Sequence, residues 1–339
     1  MKKYDALLFL SFGGPEGMAE VMPFLANVLR GKNVPEARMK EVAHHYERFD
    51  GVSPINEQNR QLIGALECEL QQRSIALPIY WGNRNWHPLL AFTFKRMKDA
   101  GVERVLTFVT SAYSSYSGCR QYLEDIEKAK IEAQAEDMQI DKIPVYYNQP
   151  LFVLANIENV RVGLEKFTAA DRSEVHVAFT AHSIPMAMAD NCDYVKQLQA
   201  NCDRVASELG IKQYKLVYQS RSGPAAQPWL EPDILDHMRK LHESGVKAVL
   251  VHPIGFISDH MEILYDLDTE AKDLADELGM QFVRTSTAGT NANFVKMMGD
   301  LVEERLESTH AVNANDQCAP SCCAYTAVRP PSFGNVSRS

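Results

Sequence analysis

Eight short runs of apolar and β-branched residues recur along the chain, separated by longer stretches of mixed apolar and polar residues. The first four are DALLFLSF (5–12), PIYWG (78–82), RVLTFVTS (104–111) and IPVYYN (143–148). The second four are VHVAFTA (175–181), KLVYQS (215–220), AVLVHPI (248–254) and QFVRT (281–285). Runs of this length, nearly unbroken by polar positions, predict strands buried on both faces, as in a parallel sheet. Between them, NEQNRQLIGALECELQQRS (56–74) and CDYVKQLQANCDRVASELG (192–210) read as helices, the second stopping at Gly210. The series of four strands occurs twice.

That repetition predicts an α/β fold of two similar doubly wound, Rossmann-like domains, each built on a four-stranded parallel sheet. Corresponding stretches agree. VLTFVTSAYSSYSG and VLVHPIGFISDHME each run from a third strand through a loop into a helix, and YWGNRNWHP and YQSRSGPAAQPW each follow a second strand. The expected units are residues 1–160, residues 161–310 and a cysteine-containing, partly disordered tail over 311–339. Ligands of open α/β sheets bind beyond the carboxyl ends of the strands. That puts the site in the cleft between the two halves.

Composition narrows the class. The 339 residues suffice for two domains, and 45% apolar with 23% charged residues is ordinary for a soluble globular protein. A net charge of -9, with no basic run carrying interleaved aromatics, argues against a nucleic-acid partner. The start, MKKYDALLFLSFGGPEG, imitates a signal peptide, but its apolar run is short and ends in Gly13-Gly14-Pro15 without a small-residue cleavage site. No window nears the ~20 apolar residues that span a bilayer. The expectation is a cytoplasmic protein without a transmembrane segment. Four of the seven cysteines (Cys68, Cys119, Cys192 and Cys202) are dispersed, unlike a secreted disulfide framework, while Cys318, Cys322 and Cys323 crowd into CAPSCCAY. Neither a phosphate-binding loop, a dinucleotide fingerprint nor a nucleophile elbow is present.

Two stretches hold the candidate chemistry. In HPIGFISDHMEILYDLDTE (252–270), Glu262, Asp266 and Glu270 are spaced i, i+4, i+8 just beyond an apolar strand. At ~100° per residue each step overshoots a turn by ~40°, so they form a slanting row on a regular helix. A wider, π-type winding would bring them closer to one line. A solvated helix face with acids near its positive end explains the same spacing. The sharper reading is a ladder of hard oxygen ligands that passes a divalent cation along without storing it. In AFTAHSIP, His182 ends a strand. A lone histidine there is often structural, yet it is also the natural proton acceptor near neutrality. If the first and third strands of the second half are neighbours, His182 and Glu262 share the cleft, and the pair suits exchange of metal for protons.

Taken together, FTAHSIP, GFISDHMEILYDLD, YQSRSGP…PWLEP, LSFGGPEG and GVSPIN resemble the ferrochelatases, in the family's order from about residue 4 to 305. The resemblance implies insertion of ferrous iron, the second substrate, into a porphyrin, with release of two protons. It implies that His182 and Glu262 are catalytic, binding the incoming iron or handling the pyrrole protons, with Asp266 and Glu270 as further acids of the metal path. Ser53 (GVSPIN), Tyr122 (YSGCRQY) and Arg30 (NVLRGKNVP) match residues that contact the porphyrin or its propionates. Phe12 stands where some bacterial relatives carry a tyrosine that reaches the product iron, so that face of the ring should differ here. The likeness is strongest to soluble, actinobacterial-type enzymes acting on coproporphyrin III, and the polar segment 20–48 suits that four-carboxylate substrate. Protoporphyrin IX is the competing substrate. A non-catalytic porphyrin or haem carrier is the competing class, against which Glu262, Asp266 and Glu270 speak. Certain family members hold a [2Fe–2S] cluster on three C-terminal cysteines and one internal one, which here implies Cys318, Cys322 and Cys323 with Cys119 as fourth. A monomer is the family expectation.

Overall fold

The computed structural model describes residues 3–31, 34–169, 172–223, 226–307 and 322–325. Strands β1 (Ala6–Ser11), β2 (Ile79–Asn83), β3 (Arg104–Val109) and β4 (Gln139–Lys142) form one parallel sheet in the order β2-β1-β3-β4. Strands β5 (His176–His182), β6 (Tyr214–Gln219), β7 (Ala248–His252) and β8 (Gln281–Arg284) form a second in the order β6-β5-β7-β8. The two sheets therefore have one topology repeated, as the alternation of apolar runs predicts. Every strand pairing within the two sheets is parallel, and the central strands β1 and β7 are buried throughout.

The fourth strand is not the predicted one. IPVYYN (143–148) lies beyond the sheet, and the strand is the polar QIDK of β4, paired from Arg104↔Gln139 to Thr107↔Lys142. An edge strand with half-exposed residues needs no apolar run, so composition hides it. The apolar residues that follow serve the core instead: Ile143 and Tyr146 are buried, and the Tyr146 hydroxyl donates to Val109 O at 3.1 Å.

Helices α1 (Met18–Val28), α2 (Glu36–Glu47), α3 (Ile55–Gln72), α4 (Leu90–Asp99) and α5 (Gln121–Glu132) accompany the first sheet. Helix α6 (Pro150–Leu164) leads to the second, followed by α7 (Met186–Ala189), α8 (Tyr194–Leu209), α9 (Ile234–Glu243), α10 (Met261–Tyr265), α11 (Lys272–Glu277) and α12 (Ala292–Glu307). The predicted stop of α8 is realised by Gly210 in the left-handed region at φ 64°. Helix α6 runs through residue 160, and α12 returns to pack on α3 and α6. One apolar core accordingly spans both halves, with Phe9 and Phe108 from the first sheet, Phe179 and Leu250 from the second, and Phe152 and Phe294 among them.

Two π-helical turns interrupt the helices. Tyr116–Arg120 precedes α5, and Asp266–Ala271 joins α10 to α11, so each follows the third strand of its half. The flap formed by α1 and α2 docks across the cleft. Val21, Phe24, Leu25, Tyr46 and Trp86 make a small apolar cluster that takes in Met261 of α10, and His45 stacks on Tyr265 with ring centroids 3.6 Å apart. Among the described residues no helix is long and apolar enough to cross a membrane.

Candidate active site

The site is built by a close approach of backbone. Gly255, in the loop after β7, donates its N–H to Thr180 O at 3.0 Å, and a Cβ there would lie 2.6 Å from the Ala181 Cβ. Only glycine lets that loop lie so close to the end of β5. The chain is thereby directed so that α10 starts beside His182, the last residue of β5. His182 Nε2 stands 3.4 Å from Glu262 Oε1. The expected meeting of His182 and Glu262 in the cleft is realised.

Both ring nitrogens of His182 face oxygen: Nδ1 donates to Ser183 O, and Nε2 faces Glu262. Burial opposes a charged ring, but the Glu262 carboxylate outweighs it and raises the His182 pKa to about 9. Burial likewise pushes Glu262 up, and the imidazolium outweighs it, holding the carboxyl at about 2. The resting pair is therefore an imidazolium and a carboxylate. Tyr194 of α8 steadies the histidine from behind, its hydroxyl donating to His182 O at 3.2 Å. His260 caps α10, its Nδ1 accepting from Glu262 N at 3.2 Å.

Asp266 follows one turn on, at the start of the second π turn. Burial raises its pKa to about 7, and the neighbouring Glu262 and Glu270 carboxylates add to this while a hydrogen bond from Ser220 opposes it. Glu270, further out and exposed, is raised by burial and then by Asp233, against the nearby Arg48. Thr269 fits the wide winding by donating its hydroxyl to Leu264 O, five residues back, at 3.1 Å. Of the two windings open to this spacing, the wide one is present from Asp266 to Ala271. Among the described residues, however, no three histidine, cysteine or acidic side chains converge closely enough to hold a metal ion by themselves. The acids form a row of stations, not a cage.

Two residues at this site escaped the sequence. Gln219 ends β6 opposite His182, in the register His182↔Gln219, and Ser220 follows it. Ser220 adopts φ 63°, an uncommon region for a residue with a Cβ, and its hydroxyl donates to Asp266 Oδ2. Gln219 Nε2 donates to Glu262 O at 3.1 Å and lies 3.4 Å from Asp266 Oδ2. That bond fixes the amide's orientation and leaves its Oε1 a buried acceptor with no protein partner. The stretch YQSRSGP was visible in the sequence, but nothing local signals that its serine turns left-handed to reach an acid 46 residues away.

The expected porphyrin contacts are distributed over the opposite wall. Phe12, half exposed at the end of β1, meets Phe24 of the flap edge-on at 6.3 Å. Arg84 lies over both Phe12 and Tyr122, at 5.9 and 4.4 Å from their ring centroids, while pairing with Asp125 at 2.5 Å. Tyr122 itself is only 5% exposed, beneath that guanidinium. Ser53 is buried under the turn at Gly13-Gly14, where a Cβ on Gly14 would lie 2.7 Å from the Ser53 Cβ. Arg30 stands apart and exposed beyond the end of α1, its Nη2 donating to Asn27 Oδ1 at 2.5 Å.

Of the cysteines expected to hold a cluster, Cys318 lies outside the described residues. Cys322 and Cys323 have sulfurs 3.6 Å apart, and Tyr325 packs on Tyr116 of the first π turn with centroids 5.7 Å apart. Cys119 is buried in that same turn. Cys192, one of the dispersed cysteines, belongs to this neighbourhood: burial raises its pKa, and the nearby Asp193, Cys119 and Cys322 raise it further.

Twin parallel sheets of one topology carry a charged histidine–glutamate pair and an acid row at their carboxyl ends. Solved structures share this fold. A sirohydrochlorin chelatase from Bacillus subtilis subspecies spizizenii in complex with cobalt aligns at TM-score 0.50 over 90% of this chain and 96% of its own, with 12% identity. SirB from Bacillus subtilis with Fe³⁺ aligns at TM-score 0.53 over 89% and 95%, with 11% identity. Sequence is more specific. The ferrochelatase family matches residues 4–306. A ferrochelatase from Rhodopirellula baltica is 51% identical, covering 98% of this chain and 96% of its own. A coproporphyrin III ferrochelatase from Nocardia farcinica is 45% identical, covering 94% and 96%. The chain belongs to the ferrochelatase family: it is an enzyme that inserts ferrous iron into a porphyrin.

Proposed function

We propose that the porphyrin is coproporphyrin III, and that His182 and Glu262 exchange its two pyrrole protons for Fe²⁺. The observation that carries the residue roles is the ion pair of His182 and Glu262, with Asp266 next in the row. An imidazolium cannot accept a proton. Fe²⁺ arriving beside Glu262 competes for that carboxylate and, by its own charge, favours loss of the His182 proton. The base is thus generated where and when the metal is present. His182 gives its first proton to Asp266, takes one pyrrole proton and passes that on as well, then keeps the second pyrrole proton, which restores the imidazolium. Asp266, raised toward neutrality, is suited to carrying the two released protons outward. The balance is one Fe²⁺ in and two protons out. Glu270 is the outer station of the metal path. Phe12 and Ser53, with Tyr122 and Arg84 behind Phe12, form the porphyrin wall, and Arg30 meets a peripheral carboxylate. Residues 1–160 and 161–310 supply the two walls of the cleft.

The substrate choice is supported by the names of relatives such as that from Nocardia farcinica. Anaerobic Fe²⁺ insertion followed by absorbance, with coproporphyrin III and protoporphyrin IX offered separately, tests it. The expected result is faster turnover of coproporphyrin III. Preference for protoporphyrin IX would overturn the substrate reading, and tight porphyrin binding without turnover would favour a carrier. The reading includes a monomer in the cytoplasm, for which a single monomer-sized peak on size-exclusion chromatography is the expected result for the oligomeric state.

A [2Fe–2S] cluster on the tail cysteines is the last part of this reading, although among the described residues no three cysteines converge as a ligand set and only Cys322 and Cys323 lie together, with sulfurs 3.6 Å apart. The described residues offer Cys119 and Cys192 as alternatives for the internal ligand, and no chemical step above depends on the cluster. Iron and sulfide content after anaerobic purification, compared between Cys119→Ser and Cys192→Ser, decides between them.

A further inference from the structure

The six ionisable residues between 259 and 270 other than Tyr265 do not form one group. Glu262, Asp266 and Glu270 make the row, and His260 caps its helix. Asp259 and Asp268 are turned to a different partner, Arg284, at the end of β8. Its Nη1 donates to Asp259 Oδ1 and Oδ2 at 3.2 and 3.1 Å. Its Nε and Nη2 donate to Asp268 Oδ1 and Oδ2 at 2.8 and 2.5 Å. All three side chains are largely buried, at 17%, 16% and 31% exposure.

We propose that Arg284 is a positioning residue for iron insertion, a splint that holds the acid-bearing segment at both ends. Asp259 lies three residues before Glu262, and Asp268 lies two residues after Asp266. One planar guanidinium with its donors in a fixed fork therefore sets the distance between the start of α10 and the middle of the π turn. The π winding makes this necessary. A wide turn is a less stable form of helix, and two carboxylates this close repel unless a cation lies between them. The splint is also keyed to the far wall: Asp259 N donates to Gln58 Oε1 of α3 at 2.7 Å. Arg284 touches neither His182 nor the porphyrin wall, so its effect should appear on the metal and not on the ring.

The inference rests on the row being the iron path, and the test separates the two. Steady-state Fe²⁺ insertion is measured for Arg284→Leu, Arg284→Lys and the triple change Arg284→Leu/Asp259→Asn/Asp268→Asn, with Glu262→Gln in parallel and porphyrin affinity read by fluorescence quenching. The clamp borders an open hollow of about 490 Å³ that also reaches Lys166 and Lys272. Carboxylates freed by Arg284→Leu can hydrate there, and the triple change leaves no freed charge at all. The expected result for Arg284→Leu is a KM for Fe²⁺ raised on the order of tenfold or more, with porphyrin affinity within about twofold of wild type. Arg284→Lys, a point charge without the fork, recovers part of the loss. The triple variant keeps the raised KM, because it restores neutrality but not the splint. Recovery of KM in the triple variant would reduce Arg284 to a neutralising charge and overturn the positioning role. So would a fall in kcat that only follows the folded fraction. Unimpaired insertion by Glu262→Gln would sink the reading of the row itself, whatever Arg284 does.

Discussion

His182 and Glu262 each keep the other charged, and this gives the pair a pH signature. The histidine pKa rises from 6.5 to about 9, so its contribution to stability is complete below 6.5 and lost as pH rises through 9. The glutamate pKa falls from 4.5 to about 2, so its contribution is present above 4.5 and lost as pH falls through 2. Both terms are complete only between pH 4.5 and 6.5. Because the Glu262 side chain is 47% exposed, solvent screens the pair and the effect on stability is small. The expected outcome is a Tm gap between wild type and Glu262→Gln that is widest near the middle of that window and closes above pH 9, measured by thermal shift across pH. In activity the same substitution should lower insertion by about a hundredfold or more while porphyrin binding persists. These two residues were legible in the sequence because they lie in motifs and at a strand end. Ser220 and Gln219 were not. A serine's left-handed turn and a glutamine's buried amide follow from contacts with Asp266 and Glu262 that only the folded chain supplies.

The acid row depends on winding more than on composition. The i, i+4, i+8 spacing predicted a slanting row on a regular helix and a straighter one on a π helix, and the chain takes the second course over Asp266–Ala271. Deleting Thr269 removes one residue from the wide turn and the hydroxyl that reaches back to Leu264 O. Regular helix should result, with far-UV circular dichroism unchanged or slightly stronger. Iron insertion should fall by at least tenfold as Glu270 rotates out of the row. Full activity in the deletion variant would show that the winding is incidental. Seven of the strands carry apolar or β-branched runs, whether fully buried as in β1 and β7 or only partly buried as in the edge strands β2 and β8. The eighth, β4, was missed because an edge strand bears polar residues, while the Tyr146 region imitated a strand by filling the core from a loop.

At the level of the molecule, the two halves have separate sheets but a shared core. Phe294, fully buried on α12, meets Phe108, Tyr146 and Phe152 from the first half. Phe294→Ala should cost about 3–5 kcal/mol, and the whole chain should still unfold in one transition. Denaturation followed by tryptophan fluorescence and by far-UV circular dichroism checks this: coincident curves are expected, and separated ones would show that the halves melt independently. The alternation of strands announced the two sheets, but the return of α12 to α3 joins residues more than 200 positions apart and leaves no local mark. The paired π turns bear on the chain's descent. Each stands between the third strand and the following helix of its half, yet only Asp266–Ala271 carries acids. A one-residue insertion shared at matching steps is most simply inherited from a single ancestral unit that was later doubled. The first copy has the shape without the acids. Its bend, Tyr116–Arg120, has found other employment as the seat on which Tyr325 rests.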